Sequence, residues 1–199
     1  INSQSIGGEV YFPPGTYKIT STLSLRKSTR LIGQGSGIPR VGAADVTTID
    51  AQTITTGHAI RMAGNGSSGG VSHLRVRGPG YTSVATVETG SYYDNGSSIG
   101  IYLGYFGANE ILDDVYVDGF ANGVVTEFGD GIAINNSRIE NARNHGLVIA
   151  GATRITSRDS IFTNNGYVNA GTDANVFITA GSDGTLPSNI TIDGGIIDE

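Results

Sequence analysis

Asp118 and Glu140 are the residues of this 199-residue chain whose types and spacing best suit chemistry. Two carboxylates held close together raise one another's proton affinity, so one can keep a proton near neutral pH. Retaining glycoside hydrolysis uses such a pair at about 5–5.5 Å, whereas inverting enzymes need roughly 6.5–9.5 Å. Arg77, Tyr116 and Arg138 flank the two acids in the sequence. A guanidinium fork can grip a carboxylate or hydroxyls, and a phenol ring can stack on a sugar. Tyr92 and Tyr93 add a second aromatic contact if their segment reaches the same face. Two other readings compete: a glycan-binding face without catalysis, and a solvated sheet face on which arginines merely balance acids. A lyase would use Arg or Tyr as base beside a carboxylate-bound Ca²⁺, but no cluster is rich enough in ligands for that metal. The sequence calls for no metal and no cofactor.

The pair meets only if the chain lays residue 140 beside residue 118, and an internal repeat does this. VYVDGF (115–120), SRIENA (137–142) and SIFTNN (160–165) register on Val117, Ile139 and Phe162, with steps of 22 and 23. Ile101, Val124, Leu147 and Val176 form a second series, with steps of 23, 23 and 29. Ile132 and Ile155 form a third, again 23 apart. Three strand families on one period mean a coil with three faces, stacked at about 4.8 Å on the next coil. The expected fold is all-β, a right-handed single-stranded parallel β-helix with coils of about 23 residues. Leu31, Ile49 and Leu74 are assigned to the first series at steps of 18 and 25. The step of 41 from Val76 to Val117 leaves an inserted loop at 81–98, which carries Tyr92 and Tyr93.

Alternation along the first strand family leaves two outward columns. One reads Arg75, Tyr116, Arg138, Ile161, Ile196; the other reads Arg77, Asp118, Glu140, Thr163, Asp198. The second family points Tyr102, Val125, Val148 and Phe177 outward, an apolar stripe of the kind that marks an interface. Homotrimerisation through it is the expectation, with a covering loop at 166–174 as the alternative. Asn141 and Asn164 share one corner position and read as a structural amide ladder.

Composition narrows the partners. A net charge of -6 with no basic block argues against nucleic acid and against an anionic membrane surface. No apolar run is long enough for a transmembrane helix. The absence of cysteine excludes disulfides and thiolate metal sites. The 31 glycines punctuate short strand-forming segments as turns do. The whole chain, 1–199, reads as one domain. INSQSIGG lacks the regions of a signal peptide, and GGIIDE ends in phase with the first strand family, so a piece of a longer protein is expected.

The opening GGEVYFPPGTYKI (7–19) is not a two-residue hairpin. EVYF fits a first strand, Pro-Pro-Gly a stiff corner, and YKI the next face. This segment resembles the start of the first coil in the pectate-lyase-like β-helix superfamily, where Gly-Gly-x-Val-x-Phe-Pro-x-Gly-x-Tyr recurs. SRIENARNHGLVIAG (137–151) resembles its later coils. The resemblance implies a β-helix and a carbohydrate partner, because the superfamily includes pectin-degrading enzymes and phage tailspikes, some of them polysaccharide depolymerases. It leads to a trimeric tailspike-like protein, on a virion tail or extracellular, that recognises and in some cases degrades bacterial surface polysaccharide. A secreted monomeric lyase or hydrolase and a structural fibre shaft without ligand are the alternatives. Asp113-Asp114, Asn144-His145-Gly146 and Arg154-Ile155-Thr156 follow the order of the polygalacturonase motifs. However, His145 and Arg154 lie within one coil and on different faces, so the match is accidental, and His145 reads as a corner residue.

Overall fold

A computed structural model describes residues 7–25, 28–37, 46–63, 68–80, 96–104, 108–166 and 174–198. Every named element is a strand, β1 to β18, and every pairing is parallel with the next coil. The chain is a right-handed parallel β-helix, as its repeat requires. β1 (Glu9–Tyr11), β4 (Arg30–Ile32), β7 (Gly70–Arg77), β9 (Ile111–Asp118), β11 (Ala133–Asn135), β14 (Thr153–Arg158) and β17 (Ser188–Asp193) stack through a 12-stranded sheet. The same sheet bends at a corner into β2 (Gly15–Lys18), β5 (Thr47–Asp50), β12 (Arg138–Glu140), β15 (Ile161–Thr163) and β18 (Ile196–Asp198). β7 and β9 run through the bend, so their first halves line a first face and their second halves line a second face. The third face is a 6-stranded sheet of β3 (Leu23–Leu25), β6 (Gly57–Ala63), β8 (Ser98–Gly104), β10 (Asn122–Glu127), β13 (His145–Ala150) and β16 (Ala174–Thr179).

The inward column of the second face runs Tyr17, Ile49, Val76, Val117, Ile139, Phe162, Ile197. Leu31 does not belong to it. It stacks instead with Val71 on the first face, in line with Leu112 and Ile134. Leu31 and Ile49 lie on different faces of one coil, so the 18-residue step between them was no coil repeat. The direct stacking of Val117 on Val76 agrees with one coil plus an insertion. Residues 81–95 of that insertion, with both of its tyrosines, Tyr92 and Tyr93, lie outside the described residues; Ser98 already belongs to β8.

The bend is made by residues in left-handed backbone geometry: His73, Asp114, Asn136 and Asp159 all have φ near 50°. A second corner, after the second face, is left-handed at Gly119 (φ 77°), Asn141 (φ 56°) and Asn164 (φ 52°). Asn141 and Asn164 therefore hold the expected position, where Asn and Gly are the tolerated types. The link between them is a main-chain one, Asn141 N donating to Asn164 O at 3.0 Å. Side-chain bonding between coils is made one residue later. Asn165 Nδ2 donates to Ile139 O at 3.0 Å, and Asn165 Oδ1 accepts from Ala142 N at 2.8 Å. Asn164→Ala should cost up to about 1–2 kcal/mol, because Ala lacks the short polar side chain that lets Asn tolerate left-handed geometry, while Asn164→Gly should change stability far less. Equal urea midpoints for the two variants would contradict this.

The apolar stripe of the third face is not exposed. Tyr102, Val125 and Val148 are each 0% exposed within the single chain. With Ile99 and Ala150 they make a second core cluster, against which the half-buried Phe177 packs. The Tyr102 hydroxyl donates to Glu127 Oε2 at 3.0 Å, and Phe177 stacks on His145 with ring centroids 4.4 Å apart. A homotrimer face made of these four residues is thus corrected: three of them have no surface left to offer another chain. His145 also departs from expectation. It opens β13, is buried, and its Nδ1 accepts from Ala174 N at 3.2 Å.

Candidate functional site

The second face brings the carboxylates together. Glu140 pairs in register with Asp118, and Asp118 with Arg77. In the neighbouring outward column, Tyr116 stands between Arg75 and Arg138. At the coil spacing of about 4.8 Å, the two acids arise from adjacent backbone positions. Their burial is uneven: the Asp118 and Glu140 side chains are 14% and 10% exposed, while those of Arg75 and Arg138 are 26% and 33%.

Each acid has its own arginine. Arg75 Nη2 is bonded to Asp118 Oδ2 across the coils. Arg138 donates through Nε and Nη2 to Glu140 Oε2, both at 2.6 Å. The Tyr116 hydroxyl donates to Glu140 Oε1. The Arg75 guanidinium lies over the Tyr116 ring at 4.5 Å and that of Arg138 at 5.9 Å, so the phenol is held between two cations. Two polar atoms in this cluster have no hydrogen-bond partner although they are buried: Asp118 Oδ1 and Arg75 Nε.

The electrostatics separate the two acids. Burial pushes the Asp118 carboxyl above the usual carboxylate range; Arg75 and Arg77 oppose this, and the Glu140 charge adds a smaller upward push. The push of Glu140 on Asp118 is therefore present but secondary to desolvation. Burial and the bond to Glu140 also push the Tyr116 phenol well above its ordinary value, so it remains a donor.

Of the residues singled out from the sequence, Asp118, Glu140, Arg77, Tyr116 and Arg138 share this patch, and Tyr92 and Tyr93 lie outside the described residues. Arg75 was the omission. It stood in the outward column ahead of Tyr116, but nothing in the sequence reveals which of two neighbouring arginines reaches across to Asp118. Arg154 is elsewhere, on the first-face side, bonded to Asp130 through Nε at 2.6 Å and Nη2 at 2.5 Å. This exposed pair holds the Asp130 carboxyl down to about 2. Among the described residues, no group of three or more His, Asp or Glu is placed to hold a metal ion. Among the described residues, no helix is long and apolar enough to cross a membrane.

A three-faced, right-handed coil of parallel strands defines a β-helix protein. The chain belongs to the rhamnogalacturonase A/epimerase, pectate-lyase-like family, which it matches over residues 1–168. No curated protein is significantly similar to it in sequence. Among solved structures it resembles the A-module of the mannuronan C-5 epimerase AlgE6 from Azotobacter vinelandii, at 20% identity and TM-score 0.60, covering 95% of this chain and 55% of that one. It also resembles ORF18 of Geobacillus virus E2, at 19% identity and TM-score 0.55, covering 96% and 41%. The catalytic domain of a GH87 α-1,3-glucanase matches at 15% identity and TM-score 0.50, covering 96% and 33%. The chain thus spans about half or less of the length of these three proteins, and identities this low speak to the fold.

Proposed function

We propose that this chain is the carbohydrate-recognising coil of a tailspike-like protein, acting outside the cell or on a virion tail, and that it holds bacterial surface polysaccharide on its second face. One observation carries the reading: on that face the Tyr116 ring stands between the Arg75 and Arg138 guanidiniums, 4.5 and 5.9 Å from its centroid, in a chain whose net charge is -6. A phenol ring flanked by two guanidiniums suits an acidic sugar, gripped by guanidinium forks and stacked on its apolar side. Membership of a pectate-lyase-like family and likeness in fold to a phage protein support the class of partner and the location.

Within this reading Asp118 and Glu140 are the catalytic pair of a retaining depolymerase. Asp118, raised by burial and with one oxygen unpartnered, is the proton donor. Glu140 accepts from Arg138 and Tyr116 and is the nucleophile. Recognition without cleavage is the second reading. It is favoured by the arginine bonded to each acid, which a substrate must share or displace.

The test is retention on immobilised capsular and O-antigen polysaccharides from a panel of bacteria. Arg138→Ala should weaken retention at least tenfold, and Arg138→Lys should not restore it, because an ammonium lacks the planar fork. Failure of the wild-type chain to be retained by any member of the panel would overturn the proposal.

A further inference from the structure

Two clefts lie on the first face and share Ile111 and Asp113. One, of about 310 Å³, is lined by Arg30, Gly70, Ser72, His73, Ile111 and Asp113, with Val71 in its wall. The other, of about 270 Å³, adds Asn135, Asn136, Arg158 and Asp159. Through the shared residues they form one groove along the coil axis, from β4 across β7, β9 and β11 to β14. Four coil steps of about 4.8 Å make it about 19 Å long, the length of a short oligosaccharide.

Its chemistry differs from that of the second face. The charges balance: Arg30 and Arg158 stand against Asp113 and Asp159, and His73 is paired through Nδ1 with Asp114 Oδ2 at 3.0 Å. Arg75, Arg138 and Arg154 each bond a carboxylate, but Arg30 and Arg158 make no ion pair among the described residues. One guanidinium is thus unengaged at each end of the groove. Between them the Asp113 carboxylate is steadied by Asn136 Nδ2 at 3.1 Å, and the Asp114 carboxylate by Ser36 Oγ at 2.6 Å. At the middle Ile111 is 37% exposed, although its strand neighbours Leu112 and Val115 are fully buried.

Forked donors, anchored acceptors and a central apolar platform match a chain of pyranose rings. Vicinal hydroxyls both donate and accept, and the C–H face of a ring packs on an aliphatic side chain. Balanced charge leaves no demand for an anionic sugar. We infer that this groove is a second glycan site, separate from the Arg75–Glu140 patch, and that it takes a neutral oligosaccharide segment lying along the coil axis. The inference rests on the carbohydrate reading above and extends it to a different face and a different sugar class. A glycan engaged on both faces would gain avidity without any new contact.

Amide chemical shifts of the ¹⁵N-labelled chain, titrated with maltotetraose, cellotetraose, laminaritetraose and mannotetraose, test it, with tetragalacturonate as the charged comparison. At least one neutral tetrasaccharide should move amides in 70–72, 111–113 and 133–135, and Arg158→Ala or Arg30→Ala should weaken that binding at least tenfold. Because neither arginine has an ion pair among the described residues to lose, an unchanged unfolding midpoint should accompany the loss. Shifts confined to residues 75–77, 116–118 and 138–140 would overturn the groove and leave the carbohydrate reading standing. No shift in the groove with any of the four neutral sugars would overturn it as well. The carbohydrate reading itself falls only if polysaccharide retention also fails.

Discussion

Phe162→Ala is expected to lower the unfolding free energy by about 3–5 kcal/mol, the range for emptying a buried aromatic site. Phe162 is fully buried on the three-residue strand β15, with Ile139 before it and Ile197 after it in the same inward column. Such a short strand has few other apolar contacts with which to hold its coil in register. Ile197→Ala supplies the comparison: the same column, one coil further on, but 56% exposed. There little area leaves water on folding, so the cost should stay below about 1 kcal/mol. Urea unfolding of both variants checks the pair, with the midpoint read against an unchanged m value. Similar costs at the two positions would mean that the column does not act as a packed stack. A changed m for Phe162→Ala would instead report coils at that end unfolding separately, which solenoids permit.

The second large effect concerns the two acids. If the chain cleaves its polysaccharide, Glu140→Gln should abolish turnover, because a carboxamide cannot serve as the nucleophile that forms the glycosyl-enzyme. Binding to the same polysaccharide should persist, since Gln keeps one oxygen to accept from Arg138 while its amide nitrogen can donate to the Tyr116 hydroxyl oxygen. The pH dependence assigns the other partner. Asp118 donates only while protonated, so the rate should fall as pH rises through its elevated pKa. Arg75 and Arg77 pull that pKa down; Arg77→Gln should therefore move the alkaline limb to higher pH. A limb that moves the other way, or stays in place, would remove Asp118 from the proton-donor role.

The same shift has a consequence for stability. Folding raises the Asp118 pKa, so the folded state holds this proton more tightly than the unfolded chain does. The contribution is fully present below the unfolded pKa and is lost as pH rises through the folded one. Asp118→Asn should remove that slope from the stability profile, at the expense of the bond to Arg75.

Much of this was legible in the residues. Val117, Ile139 and Phe162 recur on a coil period, and three families on one period admit only a three-faced coil. The outward columns followed from alternation alone, and the structure places Tyr116 beside Arg75 and Arg138, and Asp118 beside Arg77 and Glu140. Leu31 and Ile49 misled because two faces of one coil carry the same apolar types, and residue type does not say which face a strand joins. Tyr102, Val125 and Val148 misled for a different reason. Outward from a coil need not mean exposed to water, since burial depends on what else the chain lays over that face.

The groove on the first face could not be read in advance. Its residues are scattered from Arg30 to Asp159, and their meeting depends on which strand halves lie before the bend at His73, Asp114 and Asn136. The sequence by itself determined the solenoid, its period, and which acids and arginines stand in which column, because these follow from local periodicity and coil-to-coil stacking. Tertiary structure alone decided that Arg75 reaches Asp118, that desolvation outweighs the Glu140 charge at that carboxyl, and that the apolar stripe is core. Those outcomes depend on side-chain reach and on the exclusion of water, neither of which is set by spacing along the chain.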